Sequence, residues 1–536
     1  MSESSRRFGG YATLVAAGVM LSRVAGLIRQ SVFAHFLGAS GAADAFNVAT
    51  RIPNILQNLL GEGVLSGSFI PVYSRLLARG EQKEADRVAG VFVSFLAVIV
   101  LVLVILGIAF APVILRITAG GLEPPIMALA IKLTRIVFPG VGLLVLYAWA
   151  LGILNAHRQF FISYVAPVVW NAAMIVTLLI FGMRMSGAPL ATALAWGTVA
   201  GSALQFGVEL PFVLHHAKHL RLGFDRSLEP VKTIFRNIGP VVAGRGVVQI
   251  NASIDLLIAS LLPTGAVSIV TYAQSILFLP LSVFGMSVVA AELPQMSSET
   301  GSEEEIQAAL RGRLDRTLRQ VAFFVIPTLV AYVFIGRAIV AAVFERGAFT
   351  PSTSMLVWYT LAGASVGLLA ASLGRLYSAA FYALHDTGTP FRIALTRVIG
   401  SATFSLLLAF PLRPMFIAAV SSLGLPLPAD RRMIGVVGIT TASGIAGWIE
   451  FALLRHRIHQ RIGRGPSKRT YMLKLWLSAI TAGVAALAAD LVLPRLHNIA
   501  EAALVCGVFG LVYLCVAAAL GVQEVRTILQ RFRMSS

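Results

Sequence analysis

Residues 88–115, VAGVFVSFLAVIVLVLVILGIAFAPVIL, run from Arg87 to Arg116 without one charged side chain. About 20 apolar residues let a helix cross roughly 30 Å of hydrocarbon, so this stretch reads as a membrane-spanning helix. Comparable runs recur towards both ends of the chain. They place spans at 9–37, 44–76, 88–117, 126–155, 160–184, 188–214, 230–262, 265–294, 308–343, 354–384, 389–412, 433–455, 474–493 and 499–520. The expected fold class is an all-α polytopic membrane protein of about fourteen helices. Over 536 residues, 57% are hydrophobic and 12% charged. That is about half the charge of an average soluble domain, too little to cover a water-facing surface or to leave room for a large soluble domain.

The formal charge of +19 raises the question of nucleic acid, but the cations lie in short loops between apolar runs and not along one amphipathic face. A nucleic-acid partner is set aside on that ground. Arg6 and Arg7 precede an apolar stretch as in a signal peptide, yet the stretch continues past Leu37 and includes Arg23 and Arg29, which makes it a retained first span. Cys506 and Cys515 share one span. Nine helical residues set them about 13.5 Å apart, too far for a disulfide, and they read as core residues.

Loop charges give the orientation, because lysine and arginine concentrate on the cytoplasmic side. Arg75, Arg79, Lys83 and Arg87, then Lys218, Arg221 and Arg226, then Arg455 through Arg469, fall in alternate loops. The opposite loops are poor in cations except for Arg413, Arg431 and Arg432. Both termini are therefore expected in the cytoplasm. An internal echo suggests two lobes: Gly41-Ala42, Ala49, Ile52 and Gly61 recur 224 residues later as Gly265-Ala266, Ala273, Ile276 and Gly285. A displacement of six spans preserves orientation, so the lobes, 1–225 and 226–465, should be related by a pseudo-two-fold along the membrane normal. Residues 466–536, with two further spans and a tail, lie outside the repeat.

The informative residues are charged ones inside spans: Arg23 and Arg29, then Asp44, Arg51 and Glu62, then Arg245 and Asp255, then Glu292, Arg375 and Arg397. Each charge near the bilayer centre costs on the order of 3 kcal/mol even on the lenient insertion scale, so these groups should face one another or a hydrated cavity. Structural pairing, as of Arg51 with Asp44, is one reading. The other rests on Arg23, Arg29, Arg51, Arg245, Arg375 and Arg397 outnumbering Asp44, Glu62 and Asp255: surplus guanidinium groups call for an anion. A planar guanidinium binds phosphate bidentately and keeps its proton when desolvated, so a diphosphate fits better than a cationic drug. Pro53, Gly61, Gly63, Gly67 and Pro71 all fall in the second span, where a break would be tolerated only if protein or cavity water satisfies the freed backbone. They serve as gate or as packing features. No phosphate loop, no His-Glu-x-x-His pair and no other catalytic or metal-ligating set is visible, which argues against an enzyme and against a bound cofactor. Net work would then draw on the membrane potential, an ion gradient or the substrate gradient.

Ser22-Arg23-Val24-Ala25-Gly26-Leu27-Ile28-Arg29, then Asp44-Ala45-Phe46, Arg51-Ile52-Pro53-Asn54 and Glu62-Gly63-Val64-Leu65-Ser66-Gly67-Ser68-Phe69-Ile70-Pro71, form a long and specific pattern. It resembles the MurJ (MviN) lipid II flippases of the multidrug/oligosaccharidyl-lipid/polysaccharide exporter superfamily. Weaker matches continue at Asn155, Ala166-Pro167 with Asn171, Gly239-Pro240, Phe381-Tyr382 and Thr387-Gly388-Thr389-Pro390. The resemblance implies two six-helix lobes plus two helices, a central cavity and alternating access. It also implies export of an undecaprenyl-diphosphate-linked peptidoglycan precursor across a bacterial cytoplasmic membrane. The expected partners are lipid II or a related polyprenyl-diphosphate-linked glycan, membrane lipids and cell-wall synthesis proteins. Arg23 and Arg29 match family arginines that line the cavity; Asp44 and Glu62 match acidic positions. Three positions depart from the pattern: Gln30 where an acid usually follows the second arginine, and Gln57 and Ser275 where cations are usual. Arg245, 224 residues beyond position 21 and so close to Arg23 in the repeat, is the candidate replacement. The expected contacts to substrate are thus Arg23, Arg29 and Arg245, with Asp44, Arg51, Glu62, Asp255 and Arg375 supporting gate or cavity.

Overall fold

The computed structural model describes residues 3–225, 227–282, 302–384, 386–463, 469–492 and 497–525, without the side chains of 3–17, Glu62, Gly63, Ser66, Phe160, 239–252, Glu303 and Ile306. Among the described residues the regular structure is entirely helical. The chain divides into two compact units, Met1–Ser268 and Ile269–Ser536.

In the first unit α1 (Glu3–Leu37) is followed by α2 (Gly41–Leu56), which widens into two π-helical stretches, Gln57–Gly63 and Leu65–Phe69, before α3 (Ile70–Ala78). Then come α4 (Gln82–Ala119), α5 (Pro124–Ala156), α6 (Phe160–Gly182), α7 (Gly187–His216) and α8 (Glu229–Ser260). The breakers of the second span therefore do not interrupt the helix; they convert its middle to wide turns. Wide turns of this kind are single-turn features in most helices and cluster at functional places. Ser68 Oγ donates back to the Val64 carbonyl, one of the local bonds that hold the widened stretch. Below it α3 is anchored, because the Tyr73 hydroxyl meets His157 Nε2 at 3.0 Å.

Helix α9 (Ala266–Pro280) begins at the division, and the second unit continues with α10 (Glu303–Phe334), α11 (Gly336–Phe344), α12 (Pro351–Ser365), α13 (Leu368–Ala383), α14 (Gly388–Ala409), α15 (Arg413–Ser422), α16 (Gly435–Ile462), α17 (Arg469–Val492) and α18 (Asn498–Ala519). Two expected spans are each broken once. The run 308–343 breaks at Ile335, between α10 and α11, and 354–384 breaks at Val366–Gly367, between α12 and α13. Each break frees a carbonyl inside the membrane region, where an unsatisfied polar group costs several kcal/mol. Tryptophan repairs both. Trp358 Nε1 donates to the Tyr332 carbonyl at 3.1 Å, and Trp448 Nε1 to the Val366 carbonyl at 2.8 Å. Helix α15 was not expected; none of its residues is buried.

Ten helices among the described residues are long and apolar enough to cross a membrane. Four expected spans, 9–37, 44–76, 230–262 and 265–294, are not among the ten. The π turns leave α2 only 16 residues long, and the other three include residues or side chains outside the description. These four also carry eight of the ten in-span charges singled out in the sequence. Helices α17 and α18 pack on each other, and Tyr513 of α18 donates to the Phe323 carbonyl of α10 at 2.8 Å. Cys506 and Cys515 prove exposed on α18, not core residues, and both are free thiols. An apolar bilayer accepts them on that face as readily as a core would.

Candidate functional site

Asp44 is a buried charge of the first unit with both carboxylate oxygens satisfied. It sits in the first turn of α2, 1% exposed. One carboxylate oxygen accepts from the Gly265 amide at 2.6 Å; the other accepts from the Ser268 amide at 2.8 Å and the Ser268 hydroxyl at 2.6 Å. The expected pairing of Asp44 with Arg51 is therefore corrected. Amides at a helix start point outward unpaired and favour a carboxylate, and Gly265–Ser268 is where α9 starts. Ser268 lies 224 residues beyond Asp44, the offset of the sequence echo. Gly265 has φ +97, and a Cβ there would come within 2.6 Å of the Ala39 carbonyl, so only glycine permits this approach. Asn47 Nδ2 adds a 3.2 Å bond to the Ser268 hydroxyl.

Arg51 has its electrostatic partner in Asp255 of α8. Its Nε is buried without a hydrogen-bond partner among the described residues. Two substrate-contact candidates, Arg23 and Arg29, lie on α1. Six residues apart, they are separated by about 9 Å along the axis and about 120° around it, so one helix does not bring them to a single point. Arg23 is exposed. Arg29 is tethered to α6: its Nε donates to Asn171 Oδ1 at 2.9 Å, and its guanidinium lies 5.3 Å from the Trp170 ring centroid. Asn171 is itself held by donating to the Pro167 carbonyl at 2.9 Å. Backbone places Arg245 in α8 and Glu62 in the first π stretch, but their side chains fall outside the described residues.

In the second unit Arg397 of α14 and Glu450 of α16 form an ion pair at 2.8 Å, and Arg375 of α13 lies in the field of both. Arg375 Nη1 and Arg397 Nε are buried without hydrogen-bond partners among the described residues. Sequence reading counted Arg397 among surplus cations and passed over Glu450, although position 450 falls inside the expected span 433–455. It likewise passed over Glu209 of α7, which is fully buried with neither carboxyl oxygen partnered among the described residues. Both would have been found by scanning every span for acids. Of the three departures, Ser275 bonds its own helix through the Tyr272 carbonyl at 2.7 Å, and Gln57 opens the first π stretch.

The loop after α13 is built on Asp386. Its carboxylate accepts from the Thr389 amide at 2.9 Å and hydroxyl at 2.7 Å, and pairs with Arg461 at 2.6 Å. The Thr389 bonds, then Arg461, hold its pKa below the usual carboxylate value. At the opposite loop Asp430 pairs with Arg432 at 2.8 Å, which neutralises part of the cationic exception there.

Helices of this length, with buried guanidinium groups and a widened second span, define an all-helical polytopic membrane protein. An inward-closed structure of the lipid II flippase MurJ aligns over 95% of this chain and 98% of its own, with a TM-score of 0.74 at 23% identity. An inward-facing multidrug resistance MATE family transporter of the MOP superfamily aligns over 85% of this chain with a TM-score of 0.63 at 16% identity. The family model "Lipid II flippase MurJ" matches residues 33–427. The lipid II flippase MurJ of Burkholderia cenocepacia is 32% identical over 71% of this chain and 74% of its own. The probable lipid II flippase MurJ of Rhizobium tropici is 30% identical over 88% and 85%. The chain belongs to the lipid II flippase MurJ family.

Proposed function

We propose that the protein translocates lipid II, the polyprenyl-diphosphate-linked peptidoglycan precursor, from the inner to the outer leaflet of a bacterial cytoplasmic membrane by alternating access. One observation carries this reading: the family match runs through 33–427, and the arginine motif of α1 and α2 lies in or beside it. Arg23, Arg29 and Arg245 contact the diphosphate. Guanidinium suits this task because its rigid fork matches phosphate oxygens and its charge survives desolvation. Asp44, Arg51, Glu62, Asp255 and Arg375 organise the gate and cavity. The π-helical stretch of α2, bounded by the Asp44 lock and the Tyr73–His157 contact, is the element whose turns rearrange. Both termini face the cytoplasm, following the basic loops. The chain carries out no covalent chemistry and needs no cofactor; a unit charge gains about 2.3 kcal/mol per 100 mV, so the membrane potential or an ion gradient suffices to bias the cycle. Membrane lipids surround it, and cell-wall synthesis proteins are its expected neighbours.

The test is depletion and rescue. A host is stripped of its own lipid II flippase, this chain is expressed, and externally added reagents report lipid II in the outer leaflet. Rescue by the wild type, and none by an Arg23→Ala, Arg29→Ala double variant of equal abundance, is the expected result. A well-inserted wild type that leaves lipid II inaccessible, while exporting a different lipid-linked oligosaccharide, would overturn the assignment of substrate.

A further inference from the structure

Arg375, Arg397 and Glu450 lie about 12, 13.5 and 18 Å along their helices from Ala383, Gly388 and Ile462, the helix ends that approach the Asp386–Arg461 pair. They therefore share one depth in the bilayer, where charge is expensive and marks function by default. Two guanidinium groups face one carboxylate. The Arg397–Glu450 pair is 28% and 13% exposed, and the third member, Arg375, keeps a buried donor free of any partner among the described residues.

Packing around the three is uneven in an informative way. Away from the triad, α13, α14, α16 and the end of α12 touch at glycine. An added Cβ would meet Thr441 at 2.8 Å from Gly363, Gly444 at 2.5 Å from Gly367, and the Leu408 carbonyl at 2.5 Å from Gly438. At the triad the same helices are in ordinary van der Waals contact, without the tight approaches seen elsewhere. A Cβ on Gly374 would meet only Glu450 Oε2, at 3.8 Å; one on Gly447 only Ala370, at 3.8 Å; one on Gly400 nothing nearer than Phe404, at 3.8 Å. A pair whose sole task were to fix helix register would not need a third cation with an unpartnered buried donor beside it.

We propose that Arg375 and Arg397 form an oxyanion-binding subsite within the second unit, with Glu450 as an internal counter-ion that an incoming phosphate displaces. The free donor of Arg375 takes the first oxygen. As the phosphate advances, Arg397 exchanges Glu450 for a second, bidentate contact. The net charge of the empty triad is positive, so one anion neutralises it. That the phosphate belongs to the lipid-linked cargo rests on the flippase reading; that the triad takes an oxyanion does not.

The experiment uses purified full-length protein in neutral detergent, in an Arg23→Gln, Arg29→Gln, Arg245→Gln background that silences the first-unit arginines assigned to the diphosphate. Inorganic pyrophosphate and farnesyl diphosphate are titrated separately by calorimetry at constant ionic strength. Arg375→Gln should weaken binding about tenfold, the loss of one charge-assisted contact. Glu450→Gln should tighten it several-fold, because the competing carboxylate is gone. Should Glu450→Gln fold poorly, Arg375→Gln alone decides, since it leaves the Arg397–Glu450 pair intact. Tighter binding of farnesyl diphosphate assigns the site to a lipid headgroup, and equal binding to free phosphate. Affinities within twofold of the background in both variants would overturn the subsite. Rescue of lipid II export by the wild type with variant-insensitive anion binding sinks the subsite alone; variant-sensitive anion binding without rescue by the wild type sinks the flippase reading alone.

Discussion

Asp44 and Glu450 are both carboxylates buried in a membrane protein, and their surroundings differ in kind. Asp44 receives three hydrogen bonds, two of them from backbone amides, and no cation is needed to hold it. Glu450 receives one guanidinium while a second stands beside it with a donor to spare. A charge whose bonds are all made is a lock, because every alternative arrangement leaves something unpaired. A charge cluster with unmade bonds stores that cost until a ligand removes it.

The largest expected effect breaks the lock. Asp44→Ala strands two buried amides and a hydroxyl, and should destabilise the purified protein by about 3 kcal/mol, read as a lowered unfolding midpoint in detergent. Asp44→Asn, which keeps one acceptor, should cost less. An unchanged midpoint in Asp44→Ala would show that water reaches the Gly265–Ser268 amides and that the two carboxylates are not different in kind.

Next comes the packing contrast in the second unit. Gly438→Ala drives a methyl into the Leu408 carbonyl and should cost about 1–3 kcal/mol, as overpacking does. Gly447→Ala, on the same helix but beside the triad, meets only ordinary contact and should be neutral or stabilise by about 0.4–1 kcal/mol through lost chain entropy. Equal costs at the two positions would mean the helices pack no more tightly away from the charges than beside them.

The spans were legible because transfer free energy accumulates over 20 residues and needs no knowledge of neighbours. The run read at 88–117 became Gln82–Ala119, and that read at 499–520 became Asn498–Ala519. The breaks at Ile335 and Val366 were not legible. Each depends on an indole from a different helix accepting the role of the missing amide: Trp358 lies 26 residues from the carbonyl it serves, Trp448 lies 82. No local window senses such a partner. In the site, the charged positions were legible but their partners were not, since Asp44 finds Ser268 and Arg29 finds Asn171 only once helices pack. Glu450 and Glu209 needed no structure at all, only a complete search of the spans.

Arg29 offers a smaller, sharper test. If Asn171 only orients it, Asn171→Ala should cost about 1 kcal/mol of stability and leave partial lipid II export, whereas Arg29→Ala should abolish export. Equal loss in both variants would move Arg29 from substrate contact to structural tether, and would place it with Asp44 in the comparison.

The smallest effect belongs to Asp386, a lock in water and not in lipid. Its two bonds from Thr389 and its pair with Arg461 favour the carboxylate, so its folded pKa lies below its unfolded value. A depressed carboxylate pKa means the unfolded state binds the proton first. The stabilisation is therefore complete above the unfolded pKa, near 4, and is lost as pH falls from there through the lower folded value. Wild type minus Asp386→Asn should show a difference of about 0.5–1 kcal/mol in unfolding free energy at pH 7, shrinking towards zero below about pH 4. Because Arg461 is half exposed, the ion-pair share should fade in high salt while the Thr389 share persists. A difference that grew on acidification would require a raised pKa, and with it a loop held by the protonated acid instead of by Thr389 and Arg461.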